Sequence, residues 1–333
     1  MNRSSMSFQN ILLATDFSDV AEVALQSAVK IARRCEAKLT IAHVVPDAVT
    51  ALAVSAPEVV WAPTVEDVAR LQKDLCEGAE ERLCNLAAEV HRGLDLDTTV
   101  LIGAPYFSII ESVKQNGFDL VMVGTRGMSA VKRLFVGSTA TRLARACPAP
   151  VWIARREWPE DRATILAAVD LSPVSERVVR VAASLAAALG ARLHVLNVYD
   201  TAELYGAPTI SDEVRAEFHW HRRRARREAF DRLEQLLAAL SIDDGTATFH
   251  VSQGNAYQVI KSTARRLDAG LVVMGSIGRR GLSALLIGNT AEKVLHALDR
   301  SLLIVKPAEL AVMPPTYSAT SARERPLSAT LAK

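Results

Sequence analysis

The stretch Ile11-Leu-Leu-Ala-Thr-Asp16-Phe-Ser18 returns 154 residues later as Ile165-Leu-Ala-Ala-Val-Asp170-Leu-Ser172. Each is a short apolar run that ends in Asp, one residue, then Ser. A second pair follows: Asp119-Leu-Val-Met-Val-Gly124-Thr-Arg126-Gly127 and Ala269-Gly-Leu-Val-Val-Met-Gly275-Ser-Ile-Gly278. A third is Val136-Gly137-Ser138-Thr139-Ala and Ile287-Gly288-Asn289-Thr290-Ala. All three glycines repeat at a spacing of 151 residues. Several matches at a nearly constant offset make this chain two copies of one plan.

Within each copy the apolar period alternates between strand and helix. In the first, Ile11–Ala14 reads as a strand, Ala21–Arg34 as a helix and Lys38–Val45 as a strand. Asp19 is the expected N-cap of that helix, with Glu22 three residues on. Val65–Arg92 reads as a long helix with charges along one side. A strand at Thr98–Ile102, a helix at Tyr106–Gln115 and a strand at Leu120–Val123 come next. A helix at Ser138–Arg145 and a strand at Pro150–Ile153 close the copy. The second copy has strands at 164–169, 192–198, 246–251, 271–274 and 301–305, with helices between. Pro173 fits the first turn of its helix, behind Ser172 as cap.

The charged run Arg155–Arg162, which carries Pro159, reads as a linker between a first domain at 1–154 and a second at 163–310. From Met313 the apolar period is lost, and 311–333 reads as a flexible tail. Pro46–Thr64 holds Pro46, Pro57 and Pro63 and reads as a long, lid-like loop, with a shorter counterpart around Asp200–Ser211.

Alternation with nearly continuous apolar strands means parallel β-structure buried on both faces. The expected fold is α/β: two tandem doubly wound domains, each a five-stranded parallel sheet with helices on both faces. Ligands of such sheets sit at the carboxyl ends of the strands, where the winding direction switches. Asp16, Gly124 and their repeats all fall at strand carboxyl ends.

Composition sets the outer bounds. Half of the 333 residues are hydrophobic and 23% are charged, which is enough for two cores and excludes wholesale disorder. The 39 basic and 37 acidic residues leave a net charge of +2, so the surface as a whole is not a nucleic-acid footprint. Apolar stretches such as Val181–Leu189 are about half the ~20 residues of a membrane span, and Met1–Asn10 lacks a signal-peptide core. Cys35, Cys76, Cys84 and Cys147 form neither a CxxC pair nor a dense framework. The expectation is a cytoplasmic protein with no membrane contact and reduced, mostly buried thiols.

The chemistry lies in Gly124-x-x-Gly127, nine residues, then Gly137-Ser138-Thr139. Glycine permits positive φ and close backbone approach, so main-chain N–H groups can surround an anion. A helix N-terminus adds unpaired donors and a positive dipole end. The Ser138 and Thr139 hydroxyls suit phosphate oxygens, and Arg126, Lys132 and Arg133 bring charge to the loop. The pattern is neither a Walker A loop nor a GxGxxG fingerprint. Asp16, with Ala14 and Thr15 before it, supplies an acceptor for ribose hydroxyls or a base amino group, and the main chain at Val44 borders the base. Taken alone, Asp16 is also a plain helix-capping carboxylate, and the glycines are also tight strand–helix turns.

Together these residues resemble the universal stress protein family, over nearly all of residues 8–307 and as a tandem, two-domain member. Ile102-Gly103-Ala104-Pro105 and Cys147-Pro-Ala-Pro150-Val support the likeness. The resemblance implies a universal stress protein fold of the adenine nucleotide alpha-hydrolase-like type. It also implies adenine-nucleotide binding in motif-bearing copies, contacts through the last strand, intramolecular pairing of the two domains and roles in stress survival. The second copy departs from the pattern. Its corresponding residues are Val169, Asp170, Val198, Gly275, Gly278, Gly288, Asn289 and Thr290. Asn289 stands where the motif has Ser, and Ile277 stands in place of Arg126, with Arg279 and Arg280 nearby.

The implied cofactor is ATP, with Mg²⁺ accompanying the triphosphate. No GxSxG elbow, HExxH or paired-carboxylate motif is present, so no catalytic residue is assigned and any hydrolysis is expected to be slow. The expected function is a nucleotide-responsive stress-survival regulator. A weak ATPase or nucleotidyl-transfer enzyme and a pseudo-dimeric scaffold with degenerate pockets are the rivals, and a homodimer is open. The run His221-Arg-Arg-Arg-Ala-Arg-Arg227 reads as a solvated helix face, and nucleic acid is not an expected partner. His219 and His221 point to different faces of a helix, so no metal site is expected. His43 and His194 are expected in similar places in the two second strands, and Cys76 and Cys84 as buried thiols on one helix.

Overall fold

In the computed structural model, the described residues are 8–55, 64–125, 136–159, 163–199, 212–242, 245–277 and 287–307. They fall into two compact units, one ending at Glu157 and the other beginning at Trp158.

The first unit runs β1 (Asn10–Thr15), α1 (Asp19–Cys35), β2 (Lys38–Val45), α2 (Ala48–Ser55), α3 (Val65–Val90), β3 (Leu96–Ile102), α4 (Pro105–Asn116), β4 (Leu120–Gly124), α5 (Ser138–Ala146) and β5 (Val151–Ala154). Its strands lie in the order β3-β2-β1-β4-β5, all paired in parallel. The second unit runs β6 (Thr164–Val169), α6 (Val174–Leu189), β7 (Arg192–Tyr199), α7 (Asp212–Ala239), β8 (Ala247–Gln253), α8 (Ala256–Arg266), β9 (Leu271–Gly275), α9 (Asn289–Ala297) and β10 (Ser301–Val305). Its order is β8-β7-β6-β9-β10, again parallel. Each unit is a doubly wound sheet with helices on both faces. The winding reverses between β1 and β4, and between β6 and β9, which opens a crevice at those carboxyl ends.

The central strands read as unbroken apolar runs because both faces are covered. Ile11, Leu12, Leu13, Leu120, Val121 and Met122 have no exposed surface, and neither do Ile165, Leu166, Val272 and Val273. The helices begin where the sequence offers acceptors. The cap of α1 is Ser18, not Asp19: the Ser18 side chain accepts from the Ala21 N–H, and Asp19 is the first helical residue. Thr64 and Asp67 form a reciprocal capping box at the start of α3.

The stretch Pro46–Thr64 is not all loop, since α2 occupies Ala48–Ser55. Asp47 starts it by accepting from the Thr50 N–H at 2.9 Å, and Gln72 of α3 ties down its first turn by accepting from Ala48 N–H at 2.8 Å. Near the unit boundary, Trp158 is buried. A Cβ placed on Gly270 would lie 3.1 Å from Pro159 Cδ and 3.5 Å from Trp158 Cζ3, so Gly270 leaves room for that packing. The expected tail at 311–333 and the loop at 200–211 lie outside the described residues.

Candidate functional site

Each first strand ends in a strained turn. Thr15 Oγ1 accepts from the Phe17 N–H at 3.0 Å. Asp16 Oδ1 accepts from the Ser18 N–H at 3.2 Å and from Ser18 Oγ at 2.6 Å. Between them Phe17 has φ +60°, a left-handed conformation that costs a bulky L-residue of order 1–3 kcal/mol. The second unit repeats the turn. Asp170 Oδ1 accepts from the Ser172 N–H at 3.1 Å and from Ser175 Oγ at 3.3 Å, and Leu171 has φ +60°. Ser172 is therefore not the side-chain cap of α6. Pro173 precedes its first residue, and no side chain caps it.

Three residues brace these turns that the sequence reading did not single out. Arg82 of α3 stands 4.0 Å over the Phe17 ring. Arg232 of α7, its counterpart, donates to the Leu171 carbonyl at 3.3 Å. Asn197 of β7 donates from Nδ2 to the Val169 carbonyl at 2.9 Å. His43 does the same in the first unit, from Nδ1 to the Thr15 carbonyl at 2.8 Å, and its ring centroid lies 4.4 Å from that of Phe17. His43 therefore corresponds to Asn197, not to His194. His194 instead bonds His250 of β8, Nδ1 to Nε2, at 2.9 Å. Laying Lys38 of β2 on Arg192 of β7 reveals the true match, and a spacing of 150 residues pairs the two arginines.

The glycines act differently from the sequence expectation. The chain shows positive φ at Phe17 and Leu171, not at Gly124, Gly137, Gly275 or Gly288. Gly124 lets the end of β4 approach α1: a Cβ there would sit 3.0 Å from the Val20 carbonyl oxygen. A Cβ on Gly275 would sit 2.7 Å from Val174 Cγ1. Gly137 and Gly288 are extended N-caps of α5 and α9, with φ −63° and −67°. Their N–H groups donate to the Thr125 and Ser276 carbonyls at 2.6 and 2.7 Å, which draws each helix start to the end of its neighbouring strand.

Neither helix has a side-chain cap, so the N–H groups of Ser138 and Thr139, and of Asn289 and Thr290, have no capping side chain. Ser138 and Asn289 are exposed and Thr139 and Thr290 half-buried. These starts share the carboxyl ends of the sheets with the carboxylate turns, because Ala14 pairs with Val123 and Ala168 with Met274. Val44 and Val198 are half-buried near the ends of β2 and β7. Arg126, Gly127, Lys132, Arg133, Gly278, Arg279 and Arg280 lie outside the described residues.

Burial first, and then the Arg82 guanidinium, hold His43 below the ordinary imidazole range, while the Thr15 carbonyl and Asp16 pull the other way. No cluster of three His, Cys, Asp or Glu is found among the described residues. What the crevice offers is an acceptor carboxylate on one side and helix-end donors on the other. That combination suits a ligand with hydroxyls or amines at one end and an anion at the other.

The universal stress protein family profile matches twice, over residues 7–155 and 162–306. The chain belongs to the universal stress protein family. It is 30% identical over 222 residues to universal stress protein E of Salmonella typhi, a match covering 62% of this chain and 66% of that one. It is 29% identical over 220 residues to universal stress protein E of Escherichia coli K12, covering 61% and 65%. The matched region thus spans just under two thirds of those relatives' length. Among solved structures, a universal stress protein from Archaeoglobus fulgidus DSM 4304 superposes with TM-score 0.61 at 19% identity, covering 89% of this chain and 98% of that one. A Pseudomonas aeruginosa UCBPP-PA14 chain gives TM-score 0.62 at 22% identity, covering 92% and 95%. These likenesses carry the fold.

The remaining candidates resolve as surface and core. None of the four cysteines is in a disulfide, but only Cys147 is buried; Cys35 and Cys76 are half-buried and Cys84 is exposed, against the expectation of buried thiols. Burial and Asp119 push the Cys35 thiol up to about 11. Arg222, Arg223, Arg226 and Arg227 are exposed on α7. Arg224 pairs with Glu228 at 2.7 Å and lies 5.4 Å over half-exposed Trp220. No described helix is long and apolar enough to cross a membrane.

Proposed function

We propose that this universal stress protein binds ATP at the carboxyl ends of its sheets and works as a nucleotide-responsive regulator with little or no catalysis. One observation carries the reading: in both units a carboxylate on a strained turn faces the switch point that also gathers an uncapped helix N-terminus. Asp16 and Asp170 are the ribose or base acceptors. The backbone N–H groups at Gly137-Ser138-Thr139 and Gly288-Asn289-Thr290 receive phosphate, together with the Ser138 and Thr139 hydroxyls. Gly127 and Gly278, with Arg126 in the first copy, are assigned to the same cradles by their place in the sequence motif. Ala14, Thr15 and Val44, and in the second copy Val169 and Val198, border the nucleoside.

Mg²⁺ would accompany the triphosphate, bound chiefly through its phosphates. Regulation then requires only that nucleotide bind two conformations with different affinity. The sequence carries no GxSxG elbow, HExxH or paired-carboxylate motif, which sets the enzymatic rival second. The cytoplasm is the proposed compartment, the two domains are the proposed pairing partners, and a homodimer is compatible with that pairing.

The test is native mass spectrometry of gently purified protein, followed by denaturation and nucleotide analysis. Released adenine nucleotide, at one or two per chain, supports the reading and counts the working pockets. An empty protein that gains no thermal stability from millimolar Mg-ATP overturns it in favour of the scaffold. Turnover of Mg-ATP well above background would favour the enzyme.

A further inference from the structure

The ladder between β1 and β2 runs from Asn10 opposite Lys38 to Thr15 opposite His43. That between β6 and β7 runs from Thr164 opposite Arg192 to Val169 opposite Asn197. In each, the last carbonyl of the first strand, one residue before the carboxylate, also accepts from a side chain of the neighbouring strand. His43 Nδ1 supplies it in one unit at 2.8 Å and Asn197 Nδ2 in the other at 2.9 Å. Two different side chains at one register position thus hold the same carbonyl. A carbonyl only accepts, so His43 carries a proton on Nδ1 in both charge states, and acid adds the second proton at Nε2. Asn197 has no corresponding step.

We propose that His43 and Asn197 are equivalent positioning residues. Each locks the strand end so that Asp16 or Asp170 meets its ligand from a fixed turn, and the imidazole makes only the first copy's frame sensitive to acid. The inference rests on the nucleotide reading above for the ligand, but not for the frame. The proton sensitivity has a geometric basis. The Phe17 ring already touches the Arg82 guanidinium at 4.0 Å and the His43 ring at 4.4 Å. Protonation puts a second cation on the same strained residue. The charged groups acting on His43 are Arg82 from α3 and Asp16 at the end of β1. No charged group of α1 or α4, which also pack on β2, is among them within the described residues. Burial is the larger cost of charging the ring. Because the folded protein resists that proton, the frame is whole above pH ~6.5 and is weakened as the pH falls toward the depressed value.

The test uses the full chain as wild type, H43A, H43N and N197H, with Mg-ATP as probe. In calorimetry at pH 7.5, H43A should weaken one class of site roughly 3- to 10-fold. H43N, which copies the other unit's solution, should restore affinity to within about 2-fold. Thermal melts from pH 7.5 to 5.5 should show the wild type losing Tm faster than H43N, and N197H losing it faster than wild type. Equal affinity of H43A and wild type overturns the positioning role, as does failure of H43N to rescue. Parallel melting profiles for wild type and H43N overturn the proton sensitivity. If no form binds Mg-ATP, the nucleotide reading falls and the melts alone decide the frame.

Discussion

Replacing Gly124 by alanine separates two explanations of that glycine. If it is there only so that phosphate can approach, the variant should fold normally and bind poorly. The structure gives another reason. The new Cβ would lie 3.0 Å from the Val20 carbonyl oxygen, 3.3 Å from Val20 C and 3.4 Å from Ala21 Cα, all backbone atoms at the start of α1. A backbone helix end cannot rotate aside as a side chain can. Either α1 shifts from the sheet or β4 does, and both carry fully buried residues, such as Ala24 and Ile31 on α1 and Met122 on β4. Overpacking of this kind costs about 1–3 kcal/mol, which for a domain of this size lowers Tm by roughly 3–10 °C. Gly78 in α3 is the internal control, because a Cβ there meets nothing within 4 Å. Gly78→Ala should raise stability by about 0.5–1 kcal/mol through helix propensity alone. The assay is thermal and urea unfolding of the three proteins without nucleotide. Gly124→Ala melting with or above wild type would refute the close-approach argument and return the residue to the ligand.

Asp16→Ala removes the acceptor of both Ser18 bonds and should cost Mg-ATP roughly 5- to 150-fold in affinity at one site, measured by calorimetry, with Asp170→Ala acting on the other. Under native conditions a thiol reagent should label Cys84 first, Cys35 slowly because its thiol is pushed up to about 11, and Cys147 only on unfolding, as read by mass spectrometry of digests. The His194–His250 pair should make the second unit acid-sensitive. Burial, together with Arg266, lowers both rings from the ordinary value, so the folded state holds fewer protons than the unfolded one, and stability present above pH ~6.5 falls below it. Melts of His250→Gln should lose less Tm than wild type between pH 7 and 5.

The strand–helix order and the doubly wound architecture were legible because buried parallel strands and amphipathic helices leave distinct periods. The duplication showed each period twice. What escaped depends on atoms meeting across distance. α2 has no polar face to give a helical period, and only Asp47, with Thr50 three residues on, marks its start. The cap of α1 moved by one residue because Ser18 and Asp19 are both good caps, and Asp16 holds the Ser18 hydroxyl at 2.6 Å. Gly124, Gly137, Gly275 and Gly288 suit positive φ by residue type, yet Phe17 and Leu171 carry that strain. A turn dictated by flanking hydrogen bonds can impose it on residues that composition would never nominate. His43 was matched to His194 by residue type, whereas strand register matches it to Asn197.

The two copies reach one turn by different atoms. The carboxylate is held by Ser18 in one and by Ser172 and Ser175 in the other. The last carbonyl of the strand accepts from an imidazole in one and from an amide in the other. The long helix braces the turn with an arginine that stacks on a ring in one copy and donates to a carbonyl in the other. Random drift in an idle pocket would leave some of these bonds unmade, because an unsupported left-handed Leu171 has no reason to persist at a cost of order 1–3 kcal/mol. Instead each lost group is replaced by one of the same donor capacity. The geometry of the carboxylate turn is therefore what both units maintain, which weighs against a scaffold with two abandoned pockets. On the proposal above, the copies differ in how their frames respond to protons, not in whether a frame exists.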